Sequence, residues 1–396
     1  MLRAEQGDAV PPPRKARRPP EVFLTQRSDK MTLTTEHDVA EAVKHATGAL
    51  RIKGGGTRDI GALVTGETLD VSGLRGISLY EPGALTLVAQ AGTPVAEIEA
   101  ALEAENQRLA FEPMDHRVLL GTDGTPTIGG VVAANVSGPR RIAVGACRDH
   151  MLGVRFVDGA GTIIKNGGRV MKNVTGYDLV KLLTGSYGTL GVLTEVSLKV
   201  LPRPETGATL VVHGLDVAAA VSAMSAALGS PFEVTGAAHA DATYIRIEGF
   251  AASVSYRTKE LSQLLTKFGE VEVLEGEAAG TLWDDLKNVT GLASLSGDIW
   301  RISVQPSAAP DMIAALPEGA NVQLDWGGGL IWACVPEGSD IRPLPVAGHA
   351  TLVRASEPTR RAVPVFEPQD QVLTTLTRGL RARFDPRGIL NPGLMG

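Results

Sequence analysis

Three glycine-bearing stretches hold the residue types most suited to cofactor chemistry. Gly54-Gly55-Gly56-Thr57-Arg58-Asp59-Ile60-Gly61 follows the strand-like run RIK. Three successive residues without Cβ let backbone N–H groups curl around an anion, and the Thr57 hydroxyl and Arg58 charge add donors. That is the chemistry of a pyrophosphate cradle; the same residues also fit a tight turn. No G-x-G-x-x-G opens a βα unit, and Gly61–Thr68 (GALVTGET) mimics a P-loop but carries Glu67 where lysine is required. The second stretch runs from Gly124 to Gly145. Thr127 is placed to cap a short helix whose first turn holds Gly129 and Gly130, with Asn135 and Ser137 just beyond. Small-residue helix packing explains the same pattern. In the third, Asn173–Val200, Gly185, Gly188 and Gly191 recur at spacing three and let backbone lie flat against a planar ring.

The elements around these stretches alternate in type. LTLVAQAG has period two. Thr93 and Pro94 read as N-cap and first residue of a helix over 93–110, with Val95, Ile98, Leu102 and Leu109 facing a core. VRFV and TIIK form a hairpin turning at Asp158 and Gly159. Residues 192–200 form a strand with Val192, Thr194, Val196, Leu198 and Val200 on one face. After LPRPE the glycines thin out. Strands follow near 209–214, 232–248, 298–305, 320–326 and 329–335, with helices near 216–228, 253–268 and 369–383. This predicts a second α+β domain with a mainly antiparallel sheet.

Composition narrows the class. With 396 residues and 43% hydrophobic content the chain supports two or three domains, and more than half of its 46 glycines fall between residues 46 and 195. A formal charge of −6 and only 4% aromatic residues argue against nucleic acid as a partner. No apolar run reaches the roughly 20 residues of a membrane span. Cys147 and Cys334 are far apart, so this chain alone builds neither an iron–sulfur cluster nor a structural zinc site, and a reducing cytoplasm is the expected compartment. Residues 1–30, rich in Pro and Arg, are expected to be a disordered leader without a secretory signal.

In that order, GGGTRDIG, TIGGVVAAN and TGYDLVKLLTGSYGTLGVLTEV resemble the FAD-binding domain of the vanillyl-alcohol oxidase / p-cresol methylhydroxylase (PCMH) flavoproteins. The resemblance implies a two-subdomain PCMH-type FAD-binding domain over 31–205 and an α+β cap over 206–368. A C-terminal helix and NPG segment over 369–396 would return to the flavin domain. It places FAD on Gly54, Gly55, Gly56, Thr57 and Arg58, on Thr127, Gly129, Gly130 and Asn135, on Gly188 and Val192, and on Asn391 in the terminal turn. Thr57 follows the glycines and no histidine lies nearby, so the implied FAD is non-covalent. No metal ligand is implied.

LWDDLKN, IWRISVQPSAAP, LDWGGGLIW and FDPRGILNPG are similar to the smaller flavin subunits of bacterial glycolate oxidases. That resemblance implies a complex with a larger FAD subunit of the same fold and an iron–sulfur subunit, peripheral to the inner membrane if the complex is. The reaction would be glycolate to glyoxylate at the level of the complex. The larger subunits carry a metal-binding HxGDGNxH motif in the cap. Here none of the seven histidines stands in such a motif, and Asp325-Trp326-Gly327-Gly328-Gly329 occupies the comparable place. The expectation is an FAD subunit for electron relay, with catalytic residues unassigned. The alternatives are a self-sufficient FAD oxidoreductase for another small hydroxy acid, or a scaffold with a vestigial flavin site. Asp325 suits a base or a turn, and Arg301 a substrate carboxylate or a salt bridge. His116 and His150 suit hydrogen-bonded structural roles, and Cys147 a buried thiol.

Overall fold

The computed structural model describes residues 33–169 and 176–396. The expected leader, and Asn173–Thr175 of the third stretch, lie outside the described residues. The first helix, Glu36–His45, starts at a capping box in which Asp38 N–H donates to the Thr35 hydroxyl and the Asp38 carboxylate accepts from the Thr35 N–H. It buries Val39, Ala40 and Val43, one helical face. These side chains share a small core with Leu50, Leu69, Val192 and Leu390. Strand β1 (Leu50–Lys53) pairs in parallel with β2 (Glu67–Asp70) in this subdomain.

The second layer of the N-terminal part is a five-stranded antiparallel sheet. Its strands are β3 (Ile77–Glu81), β4 (Thr86–Gln90), β6 (Met151–Val157), β7 (Ile163–Gly167) and β8 (Val192–Lys199), in the order β3-β4-β8-β6-β7. A short pair, β5 (Gln107–Arg108) with β9 (Leu201–Pro202), lies apart from it. Strand β8 is central, so both of its faces are covered and the expected inside-outside alternation disappears. Val192 packs in the small core and Leu193 in the larger one beside Ile128.

The helix expected over 93–110 is shorter, Val95–Ala104, with Pro94 as its N-cap. Thr93 is buried, its hydroxyl hydrogen-bonded to the backbone of Gly76. The helix stops because Asn106 turns to φ 52° and Gln107 and Arg108 enter the β5–β9 pair, which takes Leu109 off the helix.

The C-terminal part is an eight-stranded antiparallel sheet. Its strands are β10 (Thr206–His213), β11 (Gly236–His239), β12 (Ala242–Gly249), β13 (Val271–Glu275), β14 (Asp298–Val304), β15 (Asn321–Asp325), β16 (Leu330–Val335) and β17 (Gly348–Arg354), ordered β13-β10-β12-β11-β15-β16-β14-β17. Helices Val217–Leu228, Ala251–Leu265 and Gly276–Asn288 pack against the β10 side. The last helix, Gln371–Phe384, buries no residue and exposes Val372, Leu373 and Leu376. After it the chain returns to the N-terminal part: Leu50 N–H donates to Ile389 O (2.7 Å) and Asn391 N–H to Leu50 O (2.9 Å). Thr32–Gly396 is therefore one compact unit.

Candidate active site

Strand β1 delivers the chain into the Gly54–Arg58 loop, where Gly56 takes φ +72°. The loop lies directly on residues 124–127. A Cβ at Gly55 would sit 1.5 Å from Thr125 O, and one at Gly54 would sit 2.7 Å from Thr127 Oγ1. Part of the glycine requirement thus comes from backbone packed on backbone, independent of any ligand. The other side of the loop is open. Among the described residues, none of the backbone N–H groups of Gly54 to Arg58 donates a hydrogen bond. A run of unpaired N–H groups is an anion-binding concavity.

This loop lines a cavity of about 260 Å³. Gly54, Gly55, Gly56, Thr57 and Arg58 form one wall, Thr127, Gly129 and Gly130 another, and Gly188 and Asn391 the third. Thr127 caps the short helix Ile128–Ala133 through Gly130 N–H (3.4 Å), and Gly129 lets that helix sit on the Ala91 backbone, where a Cβ would be 2.7 Å from Ala91 O. Asn391 spans two walls. Its Oδ1 accepts from Ile52 N–H and its Nδ2 donates to Tyr187 O, both at 2.8 Å. Residues from both ends of the chain therefore set the spacing between the glycine loop and the Tyr187-Gly188 turn.

Asn135 and Val192 are not brought to this cavity. Asn135 has φ 49° and its Oδ1 accepts from Arg148 N–H (3.0 Å), so the side chain pins a neighbouring turn. Val192 points into the small core, while Gly191 and Leu193 on either side line the cavity. The equal spacing of Gly185, Gly188 and Gly191 has mixed causes. Gly185 and Gly188 have φ +89° and +73°, and a Cβ at Gly191 would meet the Phe156 ring at 2.5 Å. Sequence reasoning missed Tyr187 and Leu394, and the charged Arg51, Lys53 and Asp59, which also line the cavity. Tyr187 stands inside the GSYGTLG run; Leu394 carries no signal beyond its place after the NPG turn.

Arg58 is one of three cations along the cavity, with Arg51 and Lys53. Its Nε donates to His116 Nδ1 (3.1 Å), while Nη2 is buried without a partner. Burial lowers the guanidinium to about 10. Burial, and then the Arg58 charge, lower His116 to about 3, so this histidine is a neutral acceptor that orients Arg58. A buried guanidinium nitrogen without a partner, on a residue that lines the cavity, fits an acceptor-bearing ligand. The unpaired loop N–H groups and the cations Arg58, Lys53 and Arg51, set against a single lining carboxylate, Asp59, that is already paired with Arg51 and Arg360, fit a dinucleotide pyrophosphate.

On the cap side, Asp325 is a turn residue: its Oδ1 accepts from Trp326 N–H (2.7 Å), and burial raises its carboxyl to about 7. Trp326 Nε1 donates to Gly138 O (3.1 Å), joining cap to flavin part. Arg301, on β14, lies 5.2 Å from the centroid of the Trp326 ring and makes no salt bridge among the described residues. His150 hydrogen-bonds Val144 O (3.1 Å) and packs on Phe111. Cys147 is a free buried thiol that burial pushes up. Among the described residues no group of three His, Cys, Asp or Glu could hold a metal ion, and no helix is long and apolar enough to cross a membrane.

A family profile described as an FAD binding domain matches residues 31–167. Glycolate oxidase subunit GlcE of Escherichia coli (strain K12) is 40% identical over 341 residues, covering 85% of this chain and 89% of that protein. This chain belongs to the GlcE family of FAD-binding subunits. The cofactor of the GlcE-type chain is FAD, held on the PCMH-type fold. Glycolate oxidase subunit GlcD of Bacillus subtilis (strain 168) is 35% identical, over 36% of this chain and 28% of its own length. D-lactate dehydrogenase of Anaerostipes hadrus is 32% identical, over 40% of this chain and 31% of its own. Among these three, only the GlcE likeness extends through most of the cap. Among solved structures, an alkyldihydroxyacetonephosphate synthase superposes with a TM-score of 0.62 at 17% identity, covering 90% of this chain and 74% of its own, which shows the shared fold.

Proposed function

We propose that this chain is the smaller flavin subunit of a glycolate oxidase-type complex, binding FAD non-covalently beside a larger FAD subunit and an iron–sulfur subunit. The observation that carries the reading is the open N–H run of Gly54–Arg58 with the orphaned Arg58 Nη2, in a chain that aligns with a GlcE subunit over most of its length. The bound flavin supplies hydride and electron transfer. The residues of this chain bind and orient it. The glycine loop and Arg58 receive the pyrophosphate, Thr127, Gly129 and Gly130 the adjoining backbone contacts, and Asn391 holds β1 and the Tyr187 turn at a fixed separation. Asn135 and Val192 support those contacts from behind. We take residues 33–205 as the flavin-binding part, 206–368 as the cap, and 369–396 as the segment that closes the site. The exposed row Val372, Leu373 and Leu376 is the sort of apolar surface that a partner subunit covers.

The test is purification of the tagged full chain from its native cells, with bound proteins and released cofactor identified. Stoichiometric FAD released without proteolysis, together with a second flavoprotein and an iron–sulfur protein, is the expected result. A chain that carries no FAD, or that comes through without either partner, overturns the reading.

A further inference from the structure

Two arginines at the junction of cap and flavin part have no internal reason to be charged there. The Arg141 guanidinium lies 4.4 Å and that of Arg301 5.2 Å from the same Trp326 ring centroid, so an element of the flavin part and a strand of the cap deliver two like charges to one indole. Neither makes a hydrogen bond or an ion pair from its side chain among the described residues. The other arginines of this junction are matched. Arg140 reaches Glu112 and Glu248, Arg246 reaches Glu112, and Arg354 donates to the carbonyls of Leu119, Ala293 and Leu295.

Cation–π contact with one ring offsets part of the desolvation of two guanidiniums but leaves their N–H forks without acceptors. Asp325, the carboxylate that acts on Arg301, already gives Oδ1 to Trp326 N–H, and burial favours its neutral form; Asp149, the carboxylate that acts on Arg141, accepts from Ala146 N–H and lies 3.8 Å from Lys181. His349, paired with Ser303 across β14 and β17, shares this face. Burial, and then the Arg301 and Arg141 charges, hold its imidazole below the ordinary value, so it presents a neutral ring. Tyr187, which lines the FAD cavity, feels both Arg301 and Arg58. Neither Arg141 nor Arg301 lines that cavity itself; the Arg301 charge acts on its Tyr187 wall, and Arg141 shares the Trp326 ring with Arg301.

We propose that Arg141 and Arg301, converging on Trp326, form a binding site for a small carboxylate at the edge of the flavin cavity. Planar guanidinium forks match a carboxylate in bidentate geometry, and one anion between them would meet both unpaired donor sets. This deepens the reading of the chain as a flavin subunit and rests on that reading only for the identity of the neighbouring cofactor. It gives this subunit its own place for a hydroxy acid or its oxidised product, although the metal-binding motif of the larger subunits is absent.

The test is calorimetric titration of the full chain, as purified with its FAD, using oxalate and glycolate as probes and glycolamide and inorganic phosphate as controls. FAD content and melting temperature are measured on every sample. Oxalate and glycolate are expected to bind and glycolamide and phosphate not to. Arg301→Met and Arg141→Met should each weaken oxalate by roughly tenfold or more, with Arg301→Lys recovering part of the loss. Oxalate affinity unchanged in both Met variants overturns the proposal, as does the absence of oxalate binding by an FAD-loaded wild-type chain. Phosphate binding as tightly as oxalate, or Arg301→Met losing FAD with oxalate binding intact, assigns the arginines to a phosphate instead and also overturns it. Arginine-dependent oxalate binding by a chain that carries no FAD supports this site while sinking the flavin-subunit reading.

Discussion

Two cavities of the molecule make a contrast, and the larger of the pair is the less reactive. The crevice between flavin part and cap measures about 730 Å³ against about 260 Å³ for the glycine-lined cavity. Most of its charges are matched within the protein. Glu248 takes Arg108 Nη1 and Arg140 Nε, each at 2.8 Å, and Glu112 takes Arg246 Nη2 at 2.9 Å. Among the described buried side-chain atoms there, Arg108 Nε and Arg246 Nε make no hydrogen bond, the latter standing 3.9 Å from Glu248. Because Arg108, Glu112 and Arg140 belong to the flavin part and Arg246 and Glu248 to the cap, this network ties the two together. The smaller cavity is walled by glycine backbone whose N–H groups have no partner among the described residues, with Lys53 and Arg58 lacking a carboxylate and the lining carboxylate, Asp59, taken by Arg51 and Arg360. Unmet hydrogen-bonding capacity, more than volume, separates a place for a ligand from a seam that holds the fold.

That contrast can be broken by substitution. The largest effect is expected at the seam: Glu248→Gln leaves three arginines facing one remaining carboxylate and should cost about 3–5 kcal/mol of unfolding free energy. FAD content per folded chain should stay unchanged, as read by denaturant unfolding and absorbance; loss of FAD with unchanged stability would reverse the assignment of the two regions. The same carboxylates set an acid limb. Burial alone would raise Glu248 and Glu112, but their arginines outweigh it and hold both below the usual carboxylate range. Their contribution is present above the unfolded value and is lost as pH falls toward the folded one, so Glu248→Gln should flatten the acid side of the stability curve.

In the cavity the expected sign differs. Arg58→Met removes an orphaned buried cation, so the FAD-free chain should melt no lower than wild type, while the FAD dissociation constant rises roughly 10- to 100-fold in flavin-fluorescence titrations. A large fall in melting temperature without loss of FAD affinity would make Arg58 a structural residue. The smallest effect is expected at Asp325, whose carboxyl burial raises to about 7. Between its unfolded value and about 7 the folded state holds a proton that the unfolded chain has released, so stability falls as pH rises through that window. Asp325→Asn keeps an acceptor for Trp326 N–H and should melt a few degrees above wild type at pH 8. The two curves should converge near pH 4 by scanning fluorimetry, and a variant less stable than wild type at pH 8 would contradict the assignment.

Much of the cavity was legible in the chain because its signals are local. Gly54–Gly56 need only a strand before them and backbone room around them, Thr127 caps the helix that follows it, and Gly188 takes a left-handed turn in its own heptapeptide. Asn135 and Val192 do not line the cavity, for opposite reasons. Asn135 lies next to the right helix, but a hydrogen bond to Arg148, thirteen residues on, turns it away. Val192 lies on the right strand, but side chains alternate across a sheet, and the strand's position in the middle of five hides which face is which. Local signals also overstated the glycines. Gly55, Gly129 and Gly191 are needed in part because Thr125, Ala91 and Phe156 press on them, and those neighbours come from elsewhere in the chain.

From the order of residues alone came the class of cofactor, the two-part architecture and the missing metal motif, since each depends on residue types at short spacing. The tertiary structure decided which polar groups end without partners. Arg108, Arg140 and Arg246 look no different in the sequence from Arg58, Arg141 and Arg301. The fold brings glutamates to the first three, from more than a hundred residues away for several of the contacts, and brings none to the last three. Pairing between buried charges is a long-range property, and it is this pairing that divides the seam from the site.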